Sequence, residues 1–169
     1  RNYPKPHLYI PNGNGYVGKV SKISPTTPPP VTSAMIEIVQ HSQKYLNEHL
    51  DLIPPYWNKD VVKALGIGMH QNQWLYPYYN DSELVGYKVG KKYQKPKGIK
   101  CRVFPSMDYI SKYDKKKNLY IFAGEGDCIT GISFGLQAIT FTTGEMKIPI
   151  DKDGKYDLIW LLKWKIIVI

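Results

Sequence analysis

Residues 119–141 have the sequence LYIFAGEGDCITGISFGLQAITF, and this stretch decides the fold. Leu119 to Phe122 is a short apolar run, which predicts a buried strand. Cys128 to Phe134 predicts a helix, because a glycine, the residue that most often follows a helix, comes directly after it. Gln137 to Phe141 contains isoleucine, threonine and phenylalanine, which favour a second strand. A strand, a helix and a strand in this order predict a parallel βαβ unit.

The chain beyond this stretch continues the same alternation. Thr143 and Gly144 predict a turn that closes the second strand. Residues 157–164 predict a short apolar helix, and residues 165–169, with the sequence KIIVI, predict a final strand. Strands that alternate with helices are typical of an α/β fold, in which helices flank a parallel sheet. Because the chain begins at Arg1 rather than methionine and stops on a core-type strand, we expect it to be a fragment of a longer protein.

The first half of the chain predicts two helices and a hairpin. Thr32 or Ser33 is suited to cap a helix that ends before the prolines at 54 and 55. A second short helix is predicted from Asn58 to Leu65. Residues 74–79 and 84–89 are strand-like and flank a turn-rich link, which predicts a β-hairpin.

The composition of the 169 residues excludes several classes of protein. A hydrophobic fraction of 43% with 22% charged residues is typical of a folded domain and excludes wholesale disorder. The net charge of +9 favours a polyanionic partner, and nucleic acid before membrane. The two cysteines, Cys101 and Cys128, cannot build a four-ligand zinc site. Neither a membrane span nor a signal peptide is visible, so we expect a soluble, cytoplasmic protein.

A basic stretch follows the first strand of the predicted hairpin. Its positive side chains are Lys88, Lys91, Lys92, Lys95, Lys97, Lys100 and Arg102. No acidic residue occurs from Leu84 to Met107, and Tyr87 and Tyr93 are interleaved with the basic residues. Lysines neutralise phosphates and tyrosines stack on bases, so the stretch predicts contact with nucleic acid. The alternative is an ordinary solvated face of the hairpin.

A turn with acidic residues follows the strand at Leu119 to Phe122. Gly124 and Asp127 place a carboxylate near the start of the next helix, at the carboxyl edge of the predicted parallel sheet. Ligands bind at this edge in open α/β folds. The alternative is that Asp127 caps the helix.

From about Tyr45 to its end, the chain resembles the catalytic core of toprim-type DNA primases, the family of bacterial replicative primases and phage primase–helicases. The segments that resemble the family are, in order, VVKALG at 61–66, WLYPYY at 74–79 with LVGYK at 84–88, LYIFAGEGD at 119–127, and the strand and glycine turn at 135–144. The final strand resembles the one that precedes the family's Asp-x-Asp motif. Lys88 matches a hairpin position that is basic in the family.

The resemblance implies a set of site residues. Asp127 matches a carboxylate that binds divalent metal in the family. Ala123 stands at the position of the family's glutamate, which is a general acid/base and a metal ligand. Glu125 lies two residues further on and is a second, weaker candidate for a catalytic role. Gly124 and Gly144 match glycines of the nucleotide-binding turns.

The resemblance also implies a division of the chain. The expected segments are a Pro/Gly-rich arm or linker at 1–31, a helical lead-in with a small, basic, mixed α+β primase subdomain at 32–117, and an incomplete toprim domain at 118–169. Seven of the 13 prolines lie in the first segment. The alternative for this segment is a strand that docks on another domain.

The resemblance implies that the intact parent makes short RNA primers on single-stranded DNA by metal-dependent nucleotidyl transfer. The expected cofactor is Mg²⁺ or Mn²⁺, with no zinc site in this chain. The expected partners are the DNA template, nucleoside triphosphates, a replicative helicase and an upstream zinc-binding domain, in the cytoplasm of a cell or of a virus-infected host. Because Ala123 is not ionisable and the Asp-x-Asp motif is absent, we expect this chain to be inactive. The alternative is a non-catalytic toprim module that binds single-stranded nucleic acid in a replication complex.

Overall fold

The computed structural model describes residues 31–80, 82–94, 103–141, 161 and 164–168. The helices are α1 (Ser33–Glu48), α2 (Lys59–Ala64), α3 (Met107–Ile110) and α4 (Glu125–Ser133), with a 3₁₀ turn at Leu50–Leu52. The strands are β1 (Gly68–His70), β2 (Gln73–Asn80), β3 (Glu83–Val89), β4 (Lys92–Gln94), β5 (Val103–Phe104), β6 (Asn118–Phe122), β7 (Gln137–Phe141) and β8 (Lys165–Val168). The arm predicted at 1–31 and the helix predicted at 157–164 lie outside the described residues, except for Val31, Leu161 and Trp164.

The helix ends predicted in the first half of the chain are confirmed. The side chain of Thr32 accepts a hydrogen bond from the backbone N–H of Met35, so Thr32 caps α1. Asn58 caps α2 by accepting from the N–H groups of Asp60 and Val61. Gly66 follows α2 with a φ of 64°, a backbone conformation that glycine adopts without strain.

The predicted hairpin forms the centre of the first sheet. The four strands β1 to β4 lie in sequence order, and every neighbouring pair is antiparallel. One face of this sheet packs on α1, where Val39 is buried against Leu75 and Tyr87. The other face carries Tyr76 and Lys88, which are directly opposite each other on β2 and β3.

The second sheet confirms a mixed α/β architecture. Its strand order is β5-β7-β6-β8, and β6 is parallel to both β7 and β8. The helix α4 connects β6 to β7, as the alternation of strand and helix predicts. The antiparallel edge strand β5 was not predicted, because two residues are too few to show a periodic pattern.

The start of α4 differs from the prediction. The helix begins at Glu125 rather than Cys128, because the N–H of Cys128 already bonds to the carbonyl of Gly124 at 3.0 Å. Glu125 and Asp127 therefore lie in the first helical turn, where negative charge interacts favourably with the helix dipole. The predicted end of this helix is confirmed at Gly135, which has a φ of 82°.

One hydrophobic cluster joins the two sheets. It includes Leu46, Trp57, Val62, Tyr76, Tyr78, Phe104, Cys128, Ile129 and Ala138. Polar contacts between the two residues that precede α2 and the helix α4 accompany it. The indole of Trp57 donates to the hydroxyl of Thr130 at 2.9 Å, and the backbone N–H of Asn58 donates to the hydroxyl of Ser133 at 2.9 Å. Within the described part of the chain, every helix is too short or too polar to cross a bilayer.

Candidate functional site

The candidate site forms where the amino-terminal end of α4 meets the hairpin. Glu125 is the first residue of α4 and follows the carboxyl end of β6. Its side chain is 4% exposed and accepts two short hydrogen bonds. Tyr78 donates its hydroxyl to Oε1 at 2.6 Å, and Lys88 donates its ammonium to Oε2 at 2.6 Å. The site therefore joins the predicted hairpin to the acidic turn that follows β6.

The alternation of side chains along the hairpin explains this contact. Tyr76 and Tyr78 are two residues apart on β2, so both point to the same face of the sheet. Lys88 is the cross-strand partner of Tyr76 and shares that face. These three side chains therefore converge on the end of α4.

The ion pair between Lys88 and Glu125 is largely removed from water. The Lys88 side chain is 21% exposed and that of Glu125 is 4% exposed. Taking two charges out of water is costly, and their close approach together with the tyrosine hydrogen bond offsets this cost. Each carboxylate oxygen of Glu125 thus has a donor at hydrogen-bonding distance.

The buried tyrosine beside this pair has a perturbed pKa. Burial raises the pKa of Tyr76 above its ordinary value, and the negative charges of Glu125 and Asp127 raise it further. Tyr76 therefore stays neutral at physiological pH, with its ring buried in the hydrophobic cluster that joins the two sheets.

Asp127 occupies a different position from Glu125. It is exposed and is the third residue of α4, so it does not cap the helix. The N-cap is Gly124, which has no side chain to bond the first turn. Ala123 is also exposed, and its methyl group supplies neither a metal ligand nor a proton-transfer group.

The carboxylates described here do not by themselves form a Mg²⁺ or Mn²⁺ site. Mg²⁺ is usually bound by one or two carboxylates together with waters and substrate phosphates, in near-octahedral geometry. Within residues 31–80, 82–94, 103–141, 161 and 164–168, no three His, Cys, Asp or Glu side chains lie close enough together to hold a metal ion. Glu125 already has donors on both oxygens, which leaves Asp127 as the exposed carboxylate of the predicted pair.

The structure separates the basic residues into groups. Lys88 faces α4, whereas Lys91 and Lys92 are exposed at the turn between β3 and β4. The remaining predicted basic residues, Lys95, Lys97, Lys100 and Arg102, lie outside the described residues, as does Gly144.

Sequence reasoning did not identify the two tyrosines of the site. Tyr76 and Tyr78 belong to the predicted hairpin, and their two-residue spacing on the face of Lys88 was the signal that could have placed them there. Glu125, which accepts the hydrogen bond from Tyr78, is 47 residues away from it in the chain, a separation at which the sequence alone shows no pairing.

No protein-family model matches the chain, and neither the curated proteins nor the solved structures contain a significant match to it.

Proposed function

We propose that this chain is part of the core of a toprim-type DNA primase, and that a parent with the family's glutamate at position 123 makes short RNA primers on single-stranded DNA. One observation supports the proposal above others: Glu125, at the carboxyl end of the parallel strand β6, contacts Lys88 and Tyr78 of the hairpin. The two segments that resemble the family are thus neighbours in space, at the sheet edge where α/β folds bind ligands.

In this proposal the chain contributes template binding and a scaffold rather than a complete catalytic centre. Ala123 has no ionisable group, and Glu125 is engaged by Lys88 and Tyr78. Metal-dependent transfer in the parent then requires further carboxylates in addition to Asp127. The proposed partners are single-stranded DNA, nucleoside triphosphates, a replicative helicase and a zinc-binding domain, in the cytoplasm of the cell or host.

A primer-synthesis assay tests the proposal. The protein as its gene encodes it is compared with its Ala123→Glu variant on single-stranded DNA, with labelled nucleotides and Mg²⁺ or Mn²⁺. We expect template-dependent primers from Ala123→Glu only, since this change restores the family's acid/base group. Ala123→Glu/Asp127→Asn is the matched control and should be inactive. A folded Ala123→Glu variant that binds DNA but makes no primer would contradict the proposal.

A second function is a non-catalytic module that binds single-stranded nucleic acid. The observation that favours it is the ammonium of Lys88 at 2.6 Å from Glu125, because an internal cation here opposes the binding of a metal cation. The affinity for a dT oligonucleotide should then be the same in Mg²⁺ and in EDTA, and it should fall steeply with salt. Metal-dependent binding of a nucleoside triphosphate would exclude this second function.

A further inference from the structure

A polar cleft lies at one end of the first sheet, away from Glu125. Its volume is about 600 Å³, within the range of roughly 300–1,000 Å³ that is common for sites that bind small molecules. The residues from two neighbouring turns that line it are His70, Gln71, Gln73, Gly90, Lys91 and Lys92.

The backbone builds this cleft from two turns that pack against each other. Gln71 and Asn72 have φ values of 49° and 58°, as expected for a tight two-residue turn between β1 and β2. Gly90 has a φ of 54°, and its N–H donates to the carbonyl of Trp74 at 3.1 Å. A Cβ atom at Gly90 would lie 2.6 Å from Oε1 of Gln73, at the end of a flexible side chain, so the positive φ rather than this contact favours glycine here.

The cleft is on the opposite face of the sheet from the candidate site. Tyr87 and Val89 line the cleft and pack in the cluster beneath α1. Lys88, between them on β3, points the other way and pairs with Glu125. The cleft is therefore separate from the toprim edge, and its ligand does not depend on the chemistry at that edge.

The charges around the cleft favour an anion. Lys91 and Lys92 are exposed, and neither forms an ion pair with any of the residues that the structure describes. The described residues that line the cleft include no carboxylate. Two ammonium groups at one rim are suited to a phosphate.

The cleft also offers exposed groups that can recognise a base. Gln71 and Gln73 have side-chain amides, which both donate and accept hydrogen bonds. Nδ1 of His70 lies 3.4 Å from the hydroxyl of Ser42, which holds the imidazole ring against α1. The ammonium groups of Lys91 and Lys92 and the amides of Gln71 and Gln73, all exposed around one cleft, together match the phosphate and the base of a nucleotide.

We propose that this cleft binds one nucleotide unit, with its phosphate at Lys91 and Lys92 and its base against the glutamine amides. A single strand and a free nucleotide supply the same chemistry. The inference rests on the proposed binding of nucleic acid, and it places that binding on the α1 face of the hairpin sheet.

The experiment compares two variants that remove the same charge. Lys91→Ala/Lys92→Ala changes the cleft, and Lys115→Ala/Lys116→Ala removes two exposed lysines from the loop before β6. Fluorescence anisotropy measures binding of a labelled dT₁₂ strand over a range of salt concentrations, with ATP and dTMP as competitors. NMR signals of the His70 ring and the Gln73 amide report occupancy of the cleft itself.

We expect the cleft variant to weaken dT₁₂ binding roughly tenfold or more at 0.1 M salt. It should also reduce the slope of log affinity against log salt concentration by an amount that corresponds to about one phosphate contact or more. The loop variant should weaken it less than about threefold. Gln73→Ala, which changes no charge, should weaken it roughly fivefold through the lost hydrogen bond. The His70 and Gln73 signals should move on addition of dT₁₂. If ATP or dTMP moves them and dT₁₂ does not, the ligand of the cleft is a free nucleotide.

Two other outcomes overturn the inference, and they differ in what they say of the proposed function. If the cleft and loop variants weaken binding equally while the His70 and Gln73 signals stay fixed, the cleft is not the site, although the chain still binds DNA. If the unchanged protein binds neither dT₁₂ nor a nucleotide, nucleic-acid binding itself fails, and the inference fails with it.

Discussion

Glu125 is the single buried carboxylate in the part of the chain that the structure describes, and its environment determines its role. A carboxylate out of water needs donors for its oxygens, and Tyr78 and Lys88 provide them. This arrangement makes Lys88 a residue that positions the hairpin against α4. It also gives Glu125 a structural contact that the sequence does not show, because the two charged residues are 37 positions apart in the chain.

Replacing Lys88 by methionine tests this role. Lys88→Met leaves Glu125 buried without its cation, so we expect the free energy of unfolding to fall by about 2–4 kcal/mol in a urea titration. Lys88→Met/Glu125→Gln should recover most of this loss, because it removes both charges and keeps an acceptor for Tyr78. The control is Lys44→Met, whose partner Glu48 is on the surface of α1, with an expected change below about 0.5 kcal/mol. Equal effects of Lys88→Met and Lys44→Met would show that the buried pair is not stabilising.

Tyr76 predicts how stability changes at high pH. Burial and the charges of Glu125 and Asp127 raise its pKa, so the folded protein keeps a proton that the unfolded chain releases near pH 10. The contribution of Tyr76 is therefore complete below pH 10 and is lost as the pH rises toward the folded pKa. Above pH 10 the free energy of unfolding of the unchanged protein should fall relative to that of Tyr76→Phe, by up to about 1.4 kcal/mol per pH unit. The two curves should therefore converge or cross. Parallel curves for the two proteins between pH 8 and 11 would contradict this assignment.

Among the elements, those with a capping residue or a glycine at their ends were predictable from the sequence. Thr32 and Asn58 cap helices where the pattern predicts them, and Gly135 follows α4 as expected. The short elements α3 and β5 were not predicted, since four and two residues show no period. The start of α4 was misplaced by three residues because its N-cap, Gly124, has no side chain that signals a cap.

Gly68 tests how closely α1 approaches β1. A Cβ atom at this position would lie 2.8 Å from the carbonyl carbon and the Cβ of Ser42, so the helix would have to move. We expect Gly68→Ala to lower the free energy of unfolding by about 1–3 kcal/mol. Gly126→Ala is the matched control, because its Cβ would meet only Trp57 and Tyr76 at 3.7 Å or more. Since alanine favours helix, the control should be neutral or stabilising by about 0.5–1 kcal/mol, and a similar loss in both variants would refute the close approach.

For the molecule as a whole, the sequence predicted the mixture of helices and strands and the parallel order of the second sheet. It also suggested a division at residues 117 and 118. The structure shows contacts across this position: β5, from the upstream segment, pairs with β7, and Tyr78 and Lys88 of the hairpin donate hydrogen bonds to Glu125 of α4. These contacts link residues that are far apart in the chain, and local patterns contain no information about them.

The shared hydrophobic cluster predicts that both sheets unfold together. Ile129, on α4, is fully buried in the cluster that also contains Trp57 and Tyr76, while Val39 is buried between α1 and the hairpin. Ile129→Ala should lower the free energy of unfolding by about 2–4 kcal/mol. Val39→Ala should lower it by less.

Residue-resolved NMR during a urea titration distinguishes cooperative from separate unfolding. If the sheets are one cooperative unit, each of the two substitutions shifts the midpoint equally for amides of β2 and of β7. If the sheets unfold separately, Ile129→Ala shifts chiefly the amides of β7, and Val39→Ala shifts chiefly those of β2. We expect the first result, because the indole of Trp57 is hydrogen-bonded to Thr130 of α4 and packs 4.8 Å from the ring of Trp74 on β2. Loss of the α4 packing would therefore expose apolar surface of the hairpin, and both sheets would be destabilised.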